Sequence, residues 1–264
     1  MRLDVLMAKR GLFPSRQKAK EAILQGQIFV EQKKVTKPGL KVAIDAQIEI
    51  EGEILAYPSR AGLKLEKALK VFNIDVQNKI GLDVGASTGG FTACLLENGA
   101  KRIYAIDVGK DQLVPELRQD PRVIVFEQTD VRDVTPKLLG ELVEFATIDV
   151  SFISLEKVMP FVVDVLKPQG HIVALIKPQF ETGGEGLTKH GVVGSVETHL
   201  KFIPSLLNRL QAYGAGLCGL DFSPITGSKG NLEFLAHFRV DKKSWDCTGF
   251  ANKVINLAWQ SRED

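Results

Sequence analysis

The sequence is poor in the features that mark secreted and membrane proteins. It contains only three cysteines, Cys94, Cys218 and Cys247, in 264 residues. They are odd in number and widely spaced, so they predict neither a disulfide framework nor a CxxC metal site. No apolar run reaches the roughly 18 residues of a membrane helix. The segment Met1–Asp4 turns amphipathic without the apolar core of a signal peptide. We therefore expect a cytoplasmic protein with no membrane partner.

Charge is distributed unevenly along a chain of otherwise ordinary globular composition. Hydrophobic residues make up 44% of the chain and charged residues 25%, a balance that excludes global disorder. The length accommodates two domains. Residues 1–41 contain ten Lys or Arg against three Asp or Glu, although the whole chain carries only +2. This basic segment indicates a polyanionic partner; the alternative is a solvated helical face.

Residues 1–55 are predicted to form a small α+β unit. Apolar residues at helical spacing predict a first helix ending at Gly11. A second helix is predicted to open at Pro14, with Ser15 as its N-cap, and to stop at Gly26. Three short strands are predicted around residues 28–30, 35 and 48–50, with a turn at residues 32–34.

This first unit resembles the S4 RNA-binding module through the segment RLDVLMAKRGLFPSRQKAKEAILQGQIFVEQKKVTKPG. In that family two helices present basic residues to an RNA backbone. The resemblance implies that Arg2, Arg16, Lys18 and Lys20 contact phosphates, where Lys and Arg release counterions. Because S4-type modules recognise structured RNA largely by shape, the segment does not identify the RNA.

The remainder of the chain predicts an α/β domain. We place the RNA-binding domain at 1–58, a linker at 59–62 and the second domain at 63–264. Strands are predicted at 80–84, 102–107, 122–126, 145–149, 171–176, 217–222 and 232–239. Helices are predicted at 62–72, 89–98, 112–118, 135–140, 155–166, 197–212 and 246–259. Alternation of strands and helices predicts a Rossmann-like parallel sheet covered on both faces.

A glycine-rich loop follows the first strand of this domain, in IGLDVGASTGGF at residues 80–91. Glycines allow close approach of a ligand to the backbone, and the next helix offers free N–H groups. A dinucleotide fingerprint would need glycine at position 87, where this chain has Ser87. The D-x-G-x-x-x-G-G form instead resembles the first motif of S-adenosylmethionine-dependent methyltransferases. That resemblance implies a cofactor site at Asp83, Gly85, Ser87, Gly89, Gly90 and Phe91.

Two further acids follow the next two strands. Asp107 is placed to accept the ribose hydroxyls of a nucleoside, and the methyltransferase resemblance puts Asp130 near the adenine amino group. A single Asp in such a position is more often a helix cap. Three acids at three successive strand ends, counting Asp83, indicate a ligand edge.

Four charged residues form a second candidate constellation. Asp149 and Lys177 follow the fourth and fifth apolar strands, Lys64 lies on the opening helix, and Glu233 lies inside a late apolar strand. Burying such charges is costly unless they are paired. They predict either a functional site or an ordinary buried ion-pair network.

The order Lys64, Asp149, Lys177, Glu233 resembles the K-D-K-E set of FtsJ/RrmJ-type RNA ribose 2′-O-methyltransferases. Together with the S4 module and the segments SRAGLKLEKAL, IDVSFISL, IKPQFE and SPITGSKGNLEFL, the chain resembles the TlyA (hemolysin A) rRNA methyltransferase family. The resemblance implies methyl transfer from S-adenosylmethionine to a cytidine 2′-hydroxyl in ribosomal RNA. Lys177 would act as base or hold the developing oxyanion. Asp149 and Glu233 would fix the lysine head groups, with Asp149 also facing the methyl donor.

Several expectations complete this interpretation. Ser151 and Phe152 are candidates for holding the target nucleotide, and residues 183–186 for a lid. His190 and His199 are isolated from other ligand types, so no metal site is predicted. Two alternatives are a membrane-active hemolysin, which no pore-forming segment supports, and an RNA-binding protein with an inactive methyltransferase fold. The modified nucleotide, the ribosomal subunit and the oligomeric state stay open.

Overall fold

The computed structural model describes residues 1–13, 16–24, 26–51 and 56–262, without the side chains of residues 17, 18, 21 and 228. The chain divides into two compact units, Met1–Leu55 and Ala56–Asp264. The predicted N-cap Ser15 lies outside the described residues, as does the side chain of Lys18.

The first unit packs two helices and a small antiparallel sheet around their own apolar core. Its elements are α1 (Leu3–Lys9), α2 (Arg16–Leu24), β1 (Ile28–Val30), β2 (Lys33–Val35) and β3 (Ile48–Ile50), with strand order β2-β1-β3. Leu3, Met7, Ile23 and Ile28 are fully buried. Apolar residues spaced along α1 and α2 therefore meet on one side, as the helical pattern predicts.

The hairpin between β1 and β2 corrects one prediction. Its turn residues are Glu31 and Gln32, both with positive φ (49° and 61°), and Lys33 already belongs to β2. Two consecutive positive φ values are typical of the two-residue hairpin turn that matches strand twist. The turn predicted at 32–34 therefore lies at 31–32. The sequence has no Asn-Gly or Asp-Gly pair there to mark the exact position.

The second unit is built on a seven-stranded sheet with order β6-β5-β4-β7-β8-β10-β9. Its strands are β4 (Ile80–Val84), β5 (Arg102–Ile106), β6 (Val123–Phe126), β7 (Val143–Ile148), β8 (Leu166–Ile176), β9 (Ala215–Phe222) and β10 (Phe234–Val240). The predicted α/β class is confirmed. The parallel arrangement holds for β4 to β8, whereas β10 pairs antiparallel with both β8 and β9. A loop at 223–233, rather than a crossover helix, joins β9 to β10, so they can run antiparallel.

Helices cover both faces of this sheet. They are α3 (Ala61–Val71), α4 (Gly90–Glu97), α5 (Pro115–Arg118), α6 (Pro136–Leu139), α7 (Met159–Asp164), α8 (Pro178–Glu181), α9 (Val196–Leu210) and α10 (Thr248–Gln260). The predicted helix 155–166 is divided into a 3₁₀ turn at Leu155–Lys157 and α7. Pro160 lacks an amide hydrogen and fits the first turn of a new helix.

Alternating residues of the strands face two separate apolar cores. Ile148, Ile176 and Phe234 pack on the side of α9 and α10. Leu175 and Leu235 pack on the side of α3 and α4. Successive side chains of a strand point to opposite faces of the sheet. The same alternation places the residue that follows each strand on a definite face.

Candidate active site

The strand register brings three of the predicted charged residues to one edge and one face of the sheet. Ile176 pairs with Phe234 in the antiparallel ladder, so Lys177 and Glu233 are the next residues towards this edge. Both alternate with Ile176 and Phe234, and they therefore share the face of Leu175 and α3. Asp149 follows Ile148 and faces the same way.

The four residues form two ion pairs. Lys177 Nζ lies 2.6 Å from Asp149 Oδ1 and donates a hydrogen bond to Ser151 Oγ at 2.9 Å. Lys64 Nζ, from α3, lies 2.5 Å from Glu233 Oε2. Glu233 is only 3% exposed and immediately precedes β10, rather than lying inside it as predicted. Pairing is what makes burial of these charges tolerable.

A glycine closes the loop around the Glu233 carboxylate. A Cβ placed on Gly227 would lie 1.9 Å from Glu233 Oε1. No larger side chain fits without displacing that carboxylate. Sequence reasoning missed Gly227, although it lies within the SPITGSKGNLEFL segment.

The predicted cofactor loop approaches Asp149 closely. Gly85 has φ 81°, and a Cβ there would lie 2.4 Å from the Asp149 carbonyl oxygen. Gly89, with φ 98°, packs against Leu117 in the same manner. Helix α4 then begins at Gly90, and its N-cap residue Gly89 makes no side-chain cap. Among its first N–H groups, which have no partner within the helix, that of Thr92 donates to the buried Asp83 carboxylate. Gly90 and Phe91, which precede Thr92, line a cavity together with Lys177.

Two adjoining cavities open along this loop. The larger, of about 420 Å³, is lined by Gly85, Ser87, Asp107, Asp130, Asp149, Ser151 and Phe152, among others. The smaller, of about 180 Å³, is lined by Ser59, Gly85, Ser87, Gly90, Phe91, Asp149, Ser151 and Lys177, among others. Gly85, Ser87, Asp149 and Ser151 line both cavities, which therefore adjoin at these residues. We call the two cavities together the groove. Most of the predicted cofactor residues are thus brought together.

Asp83 and Gly89 lie behind the loop, outside both linings. Asp83 is fully buried and accepts hydrogen bonds from Thr92 Oγ1 at 2.6 Å and Thr147 Oγ1 at 2.8 Å. Burial raises the pKa of this carboxyl to about 6. The side chain connects α4 to β7 beneath the groove.

Asp107 and Asp130 line the larger cavity and also organise the loops around it. Asp107 accepts hydrogen bonds from the amides of Ser87 (2.8 Å) and Gly109 (2.7 Å). Asp130 accepts one from the amide of Arg132 and pairs with its guanidinium at 2.7 Å. The hydrogen bond from that guanidinium lowers the pKa of Asp130. For Asp130, the helix-cap and cavity-lining interpretations are therefore compatible.

Comparison with known proteins identifies the fold. The FtsJ-like methyltransferase family matches residues 57–240, and the S4 domain family matches residues 1–48. The chain belongs to the FtsJ-like methyltransferase family. The resemblance inferred from the sequence is thereby confirmed, for the S4 domain as well.

Relatives of known name cover nearly the whole of this FtsJ-like methyltransferase. The chain is 48% identical to the "Putative rRNA methyltransferase YqxC" of Bacillus subtilis, across 89% of this chain and 84% of that protein. It is 38% identical to the 16S/23S rRNA (cytidine-2′-O)-methyltransferase TlyA of Mycobacterium tuberculosis, across 90% of this chain and 89% of that protein. The solved structure of a "Putative hemolysin from Streptococcus thermophilus" superposes with TM-score 0.78 at 43% identity, covering 100% of this chain and 97% of that one.

Across the described residues of the methyltransferase, no helix has the length and apolar character needed to cross a membrane.

The S4 unit of this methyltransferase brings two of its predicted RNA contacts onto one carboxylate. Asp4 is buried and pairs with Arg2 Nε at 3.0 Å and Arg16 Nε at 2.8 Å. The two arginine side chains stay 50% and 58% exposed, and hydrogen bonding from Arg2 lowers the pKa of Asp4 to about 2. Lys20 is exposed on α2. Sequence reasoning missed the anchoring role of Asp4.

The segment that follows the predicted lid (residues 183–186) is tied to the loop that carries Glu233. Gly183, Gly184 and Gly186 all have positive φ. Beyond them, Asn231 Oδ1 accepts a hydrogen bond from Val193 N at 3.0 Å, and its amide group donates to the carbonyl of residue 191 at 3.1 Å. The lid role of residues 183–186 stays a prediction.

Sequence reasoning also missed several lining residues of the two cavities. They are Ser59, Ala61 and Thr88 in the smaller cavity and Val108, Gln112, Thr129 and Ile153 in the larger. Val108 directly follows Asp107 and is strongly exposed for an apolar residue, a property that becomes evident only when burial is known.

Proposed function

We propose that this protein transfers a methyl group from S-adenosylmethionine to the 2′-hydroxyl of a cytidine in ribosomal RNA. The observation that supports it best is the pairing of Lys177 with Asp149 and Ser151 at the groove where the two cavities meet. Relatives named as rRNA cytidine-2′-O-methyltransferases supply the substrate class. A ribosomal RNA substrate would place the enzyme in the cytoplasm.

The groove fits an adenosine-containing cofactor with a charged amino-acid end. Gly85 lets the loop lie against the Asp149 carbonyl more closely than a Cβ would allow. Val108 and Ile153 offer apolar walls, and the first amides of α4 suit a carboxylate. In our proposal Asp107 accepts the ribose hydroxyls and Asp130 lies near the adenine amino group. Gly85, Ser87, Gly90 and Phe91 line the path towards Asp149. When bound, S-adenosylmethionine supplies a methyl group activated by its sulfonium charge.

The chain's own residues would prepare the nucleophile. A ribose hydroxyl attacks poorly until its proton leaves, so a positioned group must accept that proton or stabilise the oxygen as charge develops. Lys177 is held by Asp149 and Ser151 and is proposed for this role, as base or as oxyanion partner. Glu233 would fix the head group of Lys64 beside this pair. The transfer is an in-line displacement, in which positioning contributes most of the rate.

The S4 unit would hold the RNA. Arg2, Arg16, Lys18 and Lys20 are proposed to neutralise phosphates, and Ser151 and Phe152 to contact the target nucleotide. The functional division that we propose is an RNA-binding domain at 1–58, a linker at 59–62 and a methyltransferase domain at 63–264.

Transfer of tritiated methyl groups tests the proposal. The full-length protein is incubated with labelled S-adenosylmethionine and ribosomal subunits from cells that lack its gene, and 2′-O-methylated positions are then mapped. We expect incorporation at a cytidine. Lys177→Ala should abolish it while calorimetric binding of S-adenosylmethionine persists, whereas Lys137→Ala, an exposed lysine on α6, should behave like wild type.

Two outcomes would contradict the proposal. Near-normal turnover by Lys177→Ala would remove the assignment of that residue. Failure of the wild-type protein to bind S-adenosylmethionine, even with RNA present, would favour an RNA-binding protein with an inactive methyltransferase fold.

A further inference from the structure

Helix α8 connects the exits of the two strands that carry Asp149 and Lys177. It begins directly after Lys177 and ends at Glu181. Glu181 Oε2 accepts a hydrogen bond from Ser154 Oγ at 2.7 Å, and Oε1 accepts one from the amide of Leu155 at 3.0 Å. The carboxylate is therefore shared by two groups of the loop that leaves β7, which we call the β7 exit loop (residues 149–155).

A second contact joins the same two segments. The ring of Phe180, also in α8, lies 4.8 Å from the ring of Phe152, centroid to centroid, at an angle of 47°. Phe152 is 90% exposed and has φ 64°, a left-handed conformation that a bulky residue adopts only when its surroundings impose it. Phe152 thus combines an exposed ring with an unfavourable backbone conformation, and the ring of Phe180 on α8 supports it.

The contact with Glu181 is more than a helix cap. The 3₁₀ turn that follows the β7 exit loop is already capped by Ser154 Oγ, which accepts from the amide of Glu156 at 3.2 Å. Glu156 itself turns away to pair with Arg209 on α9. Glu181 adds a connection between loops, since it fixes the position of the β7 exit loop relative to Lys177.

We propose that Glu181 is a positioning residue for methyl transfer. By holding Ser154 and Leu155, it keeps Ser151 within hydrogen-bond reach of Lys177 and keeps the Phe152 ring at the groove. Ser151 and Phe152 both line the larger cavity. The inference rests on the proposed function, because it concerns how that reaction's groups are aligned.

Two substitutions separate positioning from simple loss of stability. Glu181→Ala removes both acceptors, whereas Glu181→Gln keeps one oxygen for the Leu155 amide and an amide group that can donate to Ser154 Oγ. We expect Glu181→Ala to lower kcat/KM for RNA about 10- to 100-fold, the scale of a misplaced reacting group. Affinity for S-adenosylmethionine should fall much less than kcat/KM, because Asp107 and Asp130, which we propose to hold the adenosine, lie on loops that Glu181 does not bond to. Glu181→Gln should recover most of the loss.

Glu156→Ala is the matched control, because it removes a neighbouring carboxylate that pairs with α9 instead of the β7 exit loop. It should leave kcat/KM at the wild-type value. Hydrogen exchange supplies a readout that does not depend on activity. The peptide covering residues 150–156 should exchange faster in Glu181→Ala than in wild type, with protection unchanged in the strands.

The outcomes distinguish the two proposals. Active wild type with an equally active Glu181→Ala, or unchanged exchange at 150–156, would overturn the positioning role alone. A parallel fall of activity, cofactor affinity and melting temperature would also overturn it, in favour of a structural role. Inactive wild type would refute the proposed function and with it the role of Glu181 in methyl transfer.

Discussion

Lys64 and Glu233 are 169 residues apart in the chain, yet their side chains form a buried ion pair. The pair joins α3, the first helix of the methyltransferase unit, to the start of β10. Because both side chains are almost fully buried, removal of either one leaves a charge without a partner in a poorly solvated place.

Glu233→Ala should therefore destabilise the methyltransferase unit by about 3–5 kcal/mol, the cost of an orphaned buried charge. Urea unfolding followed by tryptophan fluorescence measures this, since Trp245 and Trp259 both lie in that unit. Asp221→Ala removes the partner of Lys67 on the same helix, where both side chains are partly solvated, and should cost about 0–1 kcal/mol. If the two variants lost equal free energy of unfolding, burial would not make the Lys64–Glu233 pair more costly to break than a partly solvated pair.

Gly85→Ala should weaken cofactor binding, because the added Cβ would meet the Asp149 carbonyl oxygen at 2.4 Å and push the loop out of place. Gly140→Ala is the matched control: its φ of 79° is nearly that of Gly85 (81°), but a Cβ there meets nothing within 4 Å. Because alanine disfavours positive φ, the backbone conformation should cost both variants a similar free energy of about 1 kcal/mol. Calorimetry should show at least a tenfold weaker Kd for S-adenosylmethionine in Gly85→Ala only; equal affinities would contradict the proposed path of the cofactor.

The buried carboxyl of Asp83 predicts a pH dependence of stability. Its pKa is about 6 in the folded chain and about 3.9 in an unfolded one, so the folded state binds the proton more tightly. This contribution is fully present below about pH 4 and is lost as pH rises through 6. The total is of the order of 3 kcal/mol.

Asp83→Asn, which keeps hydrogen-bonding groups for Thr92 and Thr147, should remove this dependence. Urea unfolding between pH 4 and 7.5 should show the variant and wild type diverging as pH rises, with the variant more stable above pH 6. Asp164→Asn, an exposed position beside α7's end, should follow wild type throughout. Parallel curves for Asp83→Asn and wild type would mean that the carboxyl is ionised without penalty.

Arg16→Ala should weaken RNA binding and reduce its salt dependence. Loss of one phosphate contact lowers the slope of log K against log salt by about 1. Fluorescence anisotropy with an rRNA fragment, at salt concentrations between about 50 and 200 mM, measures both quantities. Lys137→Ala controls for loss of charge outside the S4 unit; the same slope change in that variant would point to a non-specific effect of net charge.

Much of the groove could be predicted because its residues follow apolar strands. Asp107, Asp149 and Lys177 each come directly after a buried run, and the ends of parallel strands share one edge. The glycine pattern around Ser87 likewise signals a close backbone approach. These signals are local, so a single sequence carries them.

The contacts between distant segments could not be predicted in this way. Hydrophobic periodicity gives no strand direction, so the antiparallel insertion of β10 was missed, and with it the exact place of Glu233. Asp83 shares its motif with cofactor-binding loops, but its orientation depends on Thr92 and Thr147, which only the packed fold brings together. The common anchor of Arg2 and Arg16 on Asp4 depends on how α1 meets α2.

The place of β10 between β8 and the edge strand β9 has a consequence for synthesis of the chain. It pairs on both sides, with β8 and β9, yet it is synthesised after both of them. Every strand of the parallel part, and the residues around the glycine loop, emerge before Glu233 can reach Lys64. Because domains fold as units once their elements are available, the methyltransferase unit can close around the Lys64–Glu233 pair only after residue 233 has been synthesised, long after the glycine loop.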